Sequence, residues 1–171
     1  MLRIALVGKM GSGKTTATDY IKTRYNCKEL AFATPIREFA KYIYGDTWHT
    51  EGRRLMQVLG NLSREIEPDI LIRPVKRTVM SWPDINFIVS DVRFENEVNA
   101  LHWLGFKVFR LEVSDSIRFA RLKARDGRLP SLELLNHPTE TWLDHIVLPV
   151  INANPGAPEF YREIDKALEA N

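Results

Sequence analysis

The order of apolar and polar positions predicts strands alternating with helices along the whole chain. Residues 2–7 form a short, almost wholly apolar run that ends at a glycine, which is typical of a buried strand in a parallel sheet. Similar runs predict further strands at 29–33, 85–90, 106–112 and 145–151. Strands that alternate with helices predict an α/β fold, in which helices cover both faces of a parallel sheet.

Apolar residues at helical spacing predict the elements between these strands. The predicted helices cover residues 14–25, 35–44, 50–66, 69–80, 94–104, 116–126 and 158–169. The helix at 50–66 has the clearest pattern, with an apolar stripe formed by Leu55, Leu59, Leu62 and Ile66. Arg54, Gln57, Asn61 and Arg64 form a polar stripe on the same helix, and Pro68 separates it from the next one.

Length and composition suit one soluble domain. A chain of 171 residues is long enough for a single domain, 1–171, with room for an insertion. Its 44% apolar and 27% charged residues are typical of a globular protein with a buried core. The single cysteine, Cys27, cannot form a disulfide framework, which fits a reducing compartment. No apolar run approaches the length of a membrane span, so we expect a cytoplasmic protein without a membrane partner.

Charge narrows the class of partner. The formal net charge is only +2, which argues against a large basic surface that binds the backbone of a nucleic acid. Among the 24 basic residues, 15 are arginines, and the planar guanidinium suits paired hydrogen bonds to phosphate. The four histidines show no metal-binding spacing, so a zinc site is not expected. We therefore expect small-molecule partners that carry phosphate.

A phosphate-binding loop follows the first predicted strand. The segment Gly8-x4-Gly13-Lys14-Thr15 matches the Walker A pattern in full. Glycines allow backbone N–H groups to surround phosphate oxygens, and the next helix points its positive end at the same anion. Lys14 can reach the β- and γ-phosphates, and the Thr15 hydroxyl can bind Mg²⁺. We assign ATP binding to Gly11, Ser12, Gly13, Lys14, Thr15 and Thr16.

Two other interpretations of this loop are weaker. A glycine-rich turn with a surface lysine would not require the strand before it and the helix after it. A dinucleotide-binding loop would need a third glycine, and it would give Lys14 and Thr15 no role.

A carboxylate and an arginine follow the strand predicted at 85–90. P-loop enzymes commonly place a carboxylate at the end of a buried strand, on the metal side of the site. Asp91 occupies that position, and Arg93 follows two residues later. We hypothesise that Asp91 orients Mg²⁺ through water and that Arg93 binds a substrate phosphate. The alternative is that Asp91 caps the next helix and Arg93 is its surface partner.

Several segments together resemble one kinase family. They are the phosphate loop, Asp91-Val-Arg-Phe-Glu-Asn-Glu-Val98, Arg53-Arg-Leu-Met-Gln-Val-Leu-Gly60, Glu67-Pro-Asp69 with Arg73, His137-Pro-Thr-Glu140, and Asn152-Ala-Asn-Pro-Gly156. This set resembles the phage-type deoxynucleoside-monophosphate kinases over nearly the full chain. The resemblance implies a three-layer P-loop kinase fold with a helical substrate-binding insertion at about 34–80 and a lid at about 118–140. It also implies ATP with Mg²⁺ as donor and a deoxynucleoside monophosphate as acceptor.

The resemblance also implies roles for further residues. Those assigned to substrate binding are Arg37, Arg54, Gln57, Arg64, Arg73 and Arg93. The alternative for Arg37 and for the polar stripe is a surface that faces solvent. Arg118, Arg121 and Arg125 recur on one helix face, and we assign Arg121 and Arg125 to catalysis from the lid, with Lys14 and Asp91. A solvated basic face is the alternative for these arginines. Asn154 and Gly156 are assigned to the adenine of ATP, although a simple strand-to-helix turn also fits.

Other functions stay open at this point. Related kinases for phosphomevalonate and dephospho-coenzyme A share parts of the same plan, and a nucleotide-binding regulator would share the phosphate loop. A regulator would show a switch segment or an extended basic face, and the charge balance supports neither. The expected location is the cytoplasm, that of the host if the gene belongs to a phage. A homodimer is compatible with the sequence.

Overall fold

Five parallel strands form one sheet in the part of the chain that the computed structural model describes, which is residues 1–131, 135 and 138–170. For Pro138 and Thr139 only the backbone is described. The strands are β1 Arg3–Val7, β2 Lys28–Leu30, β3 Phe87–Val89, β4 Lys107–Glu112 and β5 Val150–Asn152. Their spatial order is β2-β3-β1-β4-β5, and every neighbouring pair is parallel. The predicted α/β fold is confirmed.

Helices connect the strands and cover the sheet. Their bounds are α1 Lys14–Tyr25, α2 Thr34–Tyr44, α3 Arg53–Ile66, α4 Ile72–Ser81, α5 Glu95–Trp103, α6 Asp115–Asp126, α7 Pro138–Thr141 and α8 Ala157–Glu169. A short 3-10 turn, Gly45–Thr47, follows α2. The apolar periodicity therefore located every long helix, with starts that differ from prediction by up to three residues.

The strands are shorter than the apolar runs that predicted them, as the runs at 29–33 and 145–151 illustrate. The run at 29–33 pairs with β3 only as far as Leu30, since the N–H groups of Phe32 and Ala33 donate to the Asp91 side chain. The run at 145–151 pairs with β4 only from Val150 onward. Apolar content identified both segments, and for the first of them the hydrogen bonds to Asp91 coincide with the end of pairing.

Alternation along the strands places an apolar core on each face of the sheet. On one face, Ala5, Val7 and Val89 pack with residues of α4 and α5 such as Val79 and Leu101. On the other, Ile4, Leu6 and Ile88 pack with residues of α1 and α8 such as Ile21 and Ile164. Both faces of β1 are thus buried, which explains its continuous apolar run.

The apolar stripe predicted on α3 is largely on the surface. Leu62 and Ile66 are 49% and 73% exposed, and Gly60 is the buried residue of this helix. Since α3 packs against α2, outside the layers that cover the sheet, its inner side faces a cavity and not a close-packed core. Leu55 and Leu59 of the same stripe are partly buried, so the stripe lies only in part on the inner face of this helix.

No helix among the described residues is both long and apolar enough to cross a membrane.

All five strands run in the same direction, so their carboxyl ends meet at one edge of the sheet. Gly8, Asp91 and Val113 follow β1, β3 and β4 at that edge. In α/β sheets this edge is where ligands bind.

Candidate active site

The phosphate loop adopts a conformation that only glycine accommodates at two positions. Gly11 and Gly13 have φ of +82° and +97°, in the left-handed region. A Cβ at Gly11 would also lie 2.9 Å from Cγ of Leu122, and one at Gly8 would lie 2.5 Å from Oγ of Ser12. The glycines thus keep the loop tightly folded between β1 and α1, with its backbone open to an anion.

Lys14 lies with its amine inside this loop. Its Nζ donates to the backbone carbonyls of Gly8 and Lys9, the latter at 3.1 Å. Burial lowers the pKa of Lys14 to about 8, an effect that nearby Glu140 opposes and Arg93 increases. A phosphate anion beside the amine would raise this pKa again, because it stabilises the charged form of Lys14. The buried amine therefore favours anion binding at this loop.

Glu140, on α7, reaches into the same loop. Its Oε2 accepts a hydrogen bond from the Met10 N–H at 2.6 Å, and its Oε1 lies 3.4 Å from Nη1 of Arg93. The Glu140 side chain is 7% exposed. Glu140 lies in the segment His137-Pro-Thr-Glu140 that contributed to the family resemblance, but no role was predicted for it. It is 130 positions from Met10 in the chain, and only the fold brings the two residues together.

Three cavities surround these residues. The phosphate-loop cavity, about 430 Å³, is lined by Met10 to Thr16, Arg93, Arg121, Leu122, Arg125 and Glu140. The strand-end cavity, about 300 Å³, includes Lys14, Thr15, Glu29, Arg37, Asp91, Arg93 and Glu140. The α3 cavity, about 420 Å³, includes Arg37, Met56, Gln57, Asn61, Arg64, Asp91, Arg93, Phe94 and Glu140. Arg93 and Glu140 line all three, so they mark the point where the cavities meet.

Asp91 fixes the start of α2 as well as facing the strand-end cavity. Its Oδ1 accepts from Phe32 N–H at 3.0 Å and its Oδ2 from Ala33 N–H at 3.1 Å. Arg37 lies 3.5 Å from Oδ2. Asp91 therefore caps the segment before α2, whereas the alternative from sequence had it cap α5. With both oxygens engaged, contact with a metal through water suits this carboxylate better than direct contact.

The remaining residues of the strand-end cavity fit Mg²⁺ held together with a nucleotide. Among the described residues no three His, Cys, Asp or Glu side chains form a cluster that could hold a metal ion. Thr15 and Asp91 line the same cavity. A site with one hydroxyl and one outer carboxylate is typical of Mg²⁺ whose other ligands are phosphate oxygens and water.

The six residues predicted to bind substrate fall into two groups. Four of them line the α3 cavity: Arg37, Gln57, Arg64 and Arg93. Arg73 lies elsewhere, 70% exposed and 2.5 Å from Glu67. Arg54 is exposed and absent from the lining of this cavity. The structure thus separates Arg54 and Arg73 from the other four.

The predicted lid arginines face the phosphate loop in different ways. Arg121 lines the phosphate-loop cavity, and its Nη2 donates to the Ala153 carbonyl at 2.8 Å. Arg125 lines the same cavity and pairs with Asp126. Arg118 is buried against the loop, between Asp115 and the Met10 carbonyl, so it is not part of a solvated basic face. Residues 132–134, 136 and 137 of the predicted lid lie outside the described residues.

The turn predicted to bind adenine lies beside Arg121. Oδ1 of Asn154 accepts from Ser114 N–H at 2.8 Å, which ties the end of β4 to the turn after β5. Gly156 directly precedes α8, and its carbonyl accepts from Phe160 N–H at 3.0 Å. These bonds are those of an ordered strand-to-helix turn, and the adenine role stays a prediction.

Two further residues of the α3 cavity region had no predicted role. Asn61 follows Gln57 by four residues and lines the same cavity, in agreement with its place on the polar stripe of this helix. Glu97 is 2% exposed and pairs with Arg64 at 3.2 Å. Glu97 belongs to the segment from Asp91 to Val98 that contributed to the family resemblance, but no role was predicted for it.

Comparison with known proteins places this site in a family. Residues 4–133 match a family model described as AAA domain, which covers most of the chain. The chain belongs to the AAA domain family. A protein of Acanthamoeba polyphaga mimivirus, provisionally named deoxynucleotide monophosphate kinase, is 27% identical over 190 residues. That alignment covers 90% of this chain and 98% of the viral protein.

A second viral relative and two solved structures extend this picture. The uncharacterised ORF77 protein of Ictalurid herpesvirus 1 is 26% identical over 108 residues, which are 61% of this chain and 47% of that protein. A gluconokinase from Sinorhizobium meliloti 1021 superposes with a TM-score of 0.58 at 14% identity, over 99% of this chain and 92% of that one. A sugar kinase from Janibacter sp. HTCC2649 gives 0.62 at 14% identity, over 99% and 95%.

The structural neighbours share the fold at these low identities. With the phosphate loop and the viral kinase relative, they show a P-loop protein of the nucleoside-monophosphate-kinase-like type. The kinase-named relative and neighbours support a phosphotransferase.

Proposed function

We propose that this protein transfers the γ-phosphoryl group of ATP to a deoxynucleoside monophosphate. One observation carries the proposal: Arg93 lines the phosphate-loop cavity, the strand-end cavity and the α3 cavity together. A cation at such a junction can contact the phosphate of an acceptor in one cavity and the transferring group in another. Phosphoryl transfer depends on this positioning and charge neutralisation.

The donor side of the proposed reaction uses the phosphate loop. The N–H groups of residues 11–16 and the Lys14 ammonium bind the phosphates of ATP, and the loop glycines leave room for them. Thr15 and, through water, Asp91 would hold the Mg²⁺ that neutralises charge on the phosphates. Arg121 and Arg125 add positive charge from the opposite wall of the cavity.

The acceptor side uses the α3 cavity. Arg37 and Arg93 are 41% and 47% exposed, so both can turn toward an acceptor phosphate at the cavity junction. The walls of the α3 cavity combine apolar side chains such as Phe32 and Met56 with the amides of Gln57 and Asn61. A planar, hydrogen-bonding base with a phosphate at one end suits such a mixed lining. Transfer would be direct and in line, without a covalent enzyme intermediate.

The viral relative supports the choice of acceptor. Its alignment spans nearly the full length of both chains, and its name specifies a deoxynucleotide monophosphate acceptor. Kinases for phosphomevalonate or dephospho-coenzyme A share the donor half of this site. They are the alternative acceptor class.

ADP release from ATP·Mg²⁺ across a panel of acceptors tests the proposal. The panel contains the four common deoxynucleoside monophosphates, their ribose counterparts, phosphomevalonate and dephospho-coenzyme A. We expect turnover with at least one deoxynucleoside monophosphate, its loss in Lys14→Met, and its retention in Arg77→Gln, an exposed cation on α4. Turnover confined to a non-nucleotide acceptor would reject the proposed acceptor and leave the kinase assignment intact.

A further inference from the structure

Glu97 is a buried carboxylate at the start of α5. Its Oε2 accepts hydrogen bonds from the backbone N–H groups of Arg93 at 2.8 Å and Phe94 at 3.2 Å. Its Oε1 lies 3.2 Å from Nη2 of Arg64 on α3. A buried carboxylate is costly unless it is paired and hydrogen-bonded, and here both oxygens have partners. One side chain thus joins the substrate helix to the segment that carries Arg93.

Arg64 is held on three sides by this arrangement. Its Nη2 pairs with Glu97, its Nη1 donates to the Gly60 carbonyl at 3.0 Å, and its guanidinium lies 4.1 Å from the centre of the Phe94 ring. The Arg64 side chain is 24% exposed, the lowest exposure among the three arginines of the α3 cavity. A guanidinium fixed in this way presents its free donors in one orientation.

The position of Arg64 separates it from the phosphate end of the cavity. Arg37 and Arg93 line both the α3 cavity and the strand-end cavity, next to the phosphate loop. Arg64, Gln57 and Asn61 line the α3 cavity and neither of the other two. This trio therefore faces the part of an acceptor that lies farthest from the transferred phosphate.

Charge supports the same division of roles. Glu97 compensates the charge of Arg64 at close range, which makes Arg64 a weaker anchor for a dianionic phosphate. Its oriented N–H groups remain suited to hydrogen-bond a neutral acceptor atom. Arg37 and Arg93, which lie beside the phosphate loop, serve the phosphate, and Arg64 serves the remainder of the acceptor.

We infer that Glu97 is a positioning residue that acts through Arg64 to bind the non-phosphate part of the acceptor. The inference rests on the proposed function in one respect: it takes the α3 cavity as the acceptor site. It goes further by assigning a role to Glu97 and by separating Arg64 from the phosphate-binding arginines.

The variant Glu97→Gln tests the role of the charge. Glutamine keeps the shape and one acceptor oxygen, so the backbone N–H bonds can persist while the ion pair with Arg64 is lost. We expect KM for the acceptor to rise about tenfold, as typical for a weakened buried ion pair. The kcat at saturating acceptor and KM for ATP should stay within about twofold, since Arg64 lies away from the phosphate loop. Glu95→Gln, the same change at a 63% exposed position on the same helix, is the matched control.

A double-mutant comparison tests whether Glu97 acts through Arg64. Arg64→Met should raise acceptor KM at least as much as Glu97→Gln, and the double variant should match Arg64→Met. A further rise in the double variant would overturn the inference, and so would an unchanged acceptor KM in Glu97→Gln. An equal rise in KM for ATP would also overturn it.

Two further comparisons cover a variant that does not fold and a wild type that uses another acceptor. If Glu97→Gln does not fold, Arg64→Lys keeps the charge beside Glu97 but loses the fixed guanidinium, and a wild-type acceptor KM in that variant would overturn the inference. If the wild type uses no deoxynucleoside monophosphate, the proposed function fails. The same variants are then compared with whichever acceptor the wild type does use, and an unchanged KM there overturns the inference independently.

Discussion

The Glu140 carboxylate accepts a hydrogen bond from the backbone N–H of Met10 at 2.6 Å. It thereby places a negative group against the loop whose N–H groups are arranged for phosphate. The same carboxylate lies 3.4 Å from Arg93 and raises the pKa of Lys14. The Glu140 carboxylate thus lies near three groups that suit a phosphate: the Met10 N–H, Arg93 and Lys14. A bound triphosphate would have to displace this carboxylate or bind against its repulsion.

Removal of this charge should strengthen anion binding at the phosphate loop. We expect Glu140→Gln to bind tripolyphosphate about three- to tenfold more tightly, because a charged hydrogen-bond competitor becomes neutral. Isothermal titration calorimetry of the wild type and the variant measures the change. Glu169→Gln, an exposed carboxylate at the end of α8, serves as the control. Weaker binding in Glu140→Gln would instead mean that the carboxylate supports the bound state.

The lowered pKa of Lys14 predicts a pH dependence of ATP binding. Burial lowers this pKa to about 8, so the amine of the nucleotide-free protein loses its charge as pH rises through that value. We expect the dissociation constant for ATP to increase above about pH 8. Since Glu140 raises the pKa of Lys14, Glu140→Gln should move this increase to lower pH. Binding titrations between pH 6.5 and 9.5 distinguish the two profiles; identical midpoints would contradict the prediction.

The lowered pKa of Lys14 also makes the stability of the folded protein depend on pH. The pKa of Lys14 is depressed from 10.5 to about 8 in the folded protein, so between these values the unfolded chain binds more protons. The contribution of Lys14 to stability is therefore present above the unfolded value and lost as pH falls through the folded value. In denaturant unfolding, the stability of the wild type relative to Lys14→Met should rise from pH 8 toward pH 10.5. A difference that is constant with pH would show that the amine is not desolvated.

Gly11→Ala should abolish nucleotide binding in addition to reducing stability. The residue has a left-handed φ, and a Cβ there would meet Leu122 Cγ at 2.9 Å and Arg118 Cγ at 3.0 Å. Gly105→Ala is a matched control, because its φ is also positive at +79° but its Cβ would meet nothing closer than 3.8 Å. We expect both variants to lose about 1–2 kcal/mol from backbone strain. Only Gly11→Ala should lose ATP affinity, and equal affinities in the two variants would contradict the assigned loop role.

Asp91→Asn should reduce both turnover and stability. The amide directs a donor at one of the two N–H groups that Asp91 now accepts from, and it removes the ion pair with Arg37. We expect kcat to fall about 10- to 100-fold and the free energy of unfolding to fall about 1–2 kcal/mol. Turnover measured against Mg²⁺ concentration separates the two effects. Undiminished Mg²⁺-dependent turnover in a folded variant would remove the metal role and leave only the capping role.

The ends of β1 and β3 differ in how much of their structure the sequence predicts. The phosphate loop is local: its glycines, Lys14 and Thr15 are consecutive, and the strand before it is a single apolar run. Asp91 was also found at its strand end, but its bonds to Phe32 and Ala33 join residues 59 and 58 positions apart. The sequence pattern does not indicate hydrogen bonds between residues so far apart in the chain.

The helical insertion shows the same limit more strongly. Spacing on α3 placed Gln57 and Arg64 on one side, yet the inner side of that helix could not be chosen from its apolar stripe. Leu62 and Ile66 lie outward, because α3 faces a cavity and not a packed core. Apolar periodicity identifies the buried face of a helix only when the helix packs that face against an apolar core.

The sequence by itself determined the strands and helices of the α/β fold and the phosphate loop, because each of these depends on residues close together in the chain. The tertiary structure decided which arginines meet. It grouped Arg37, Arg64 and Arg93 around one cavity, left Arg54 and Arg73 outside it, and brought Glu97 and Glu140 to the site. Those choices depend on helix rotation and on contacts between distant elements, which are set by packing of the whole chain.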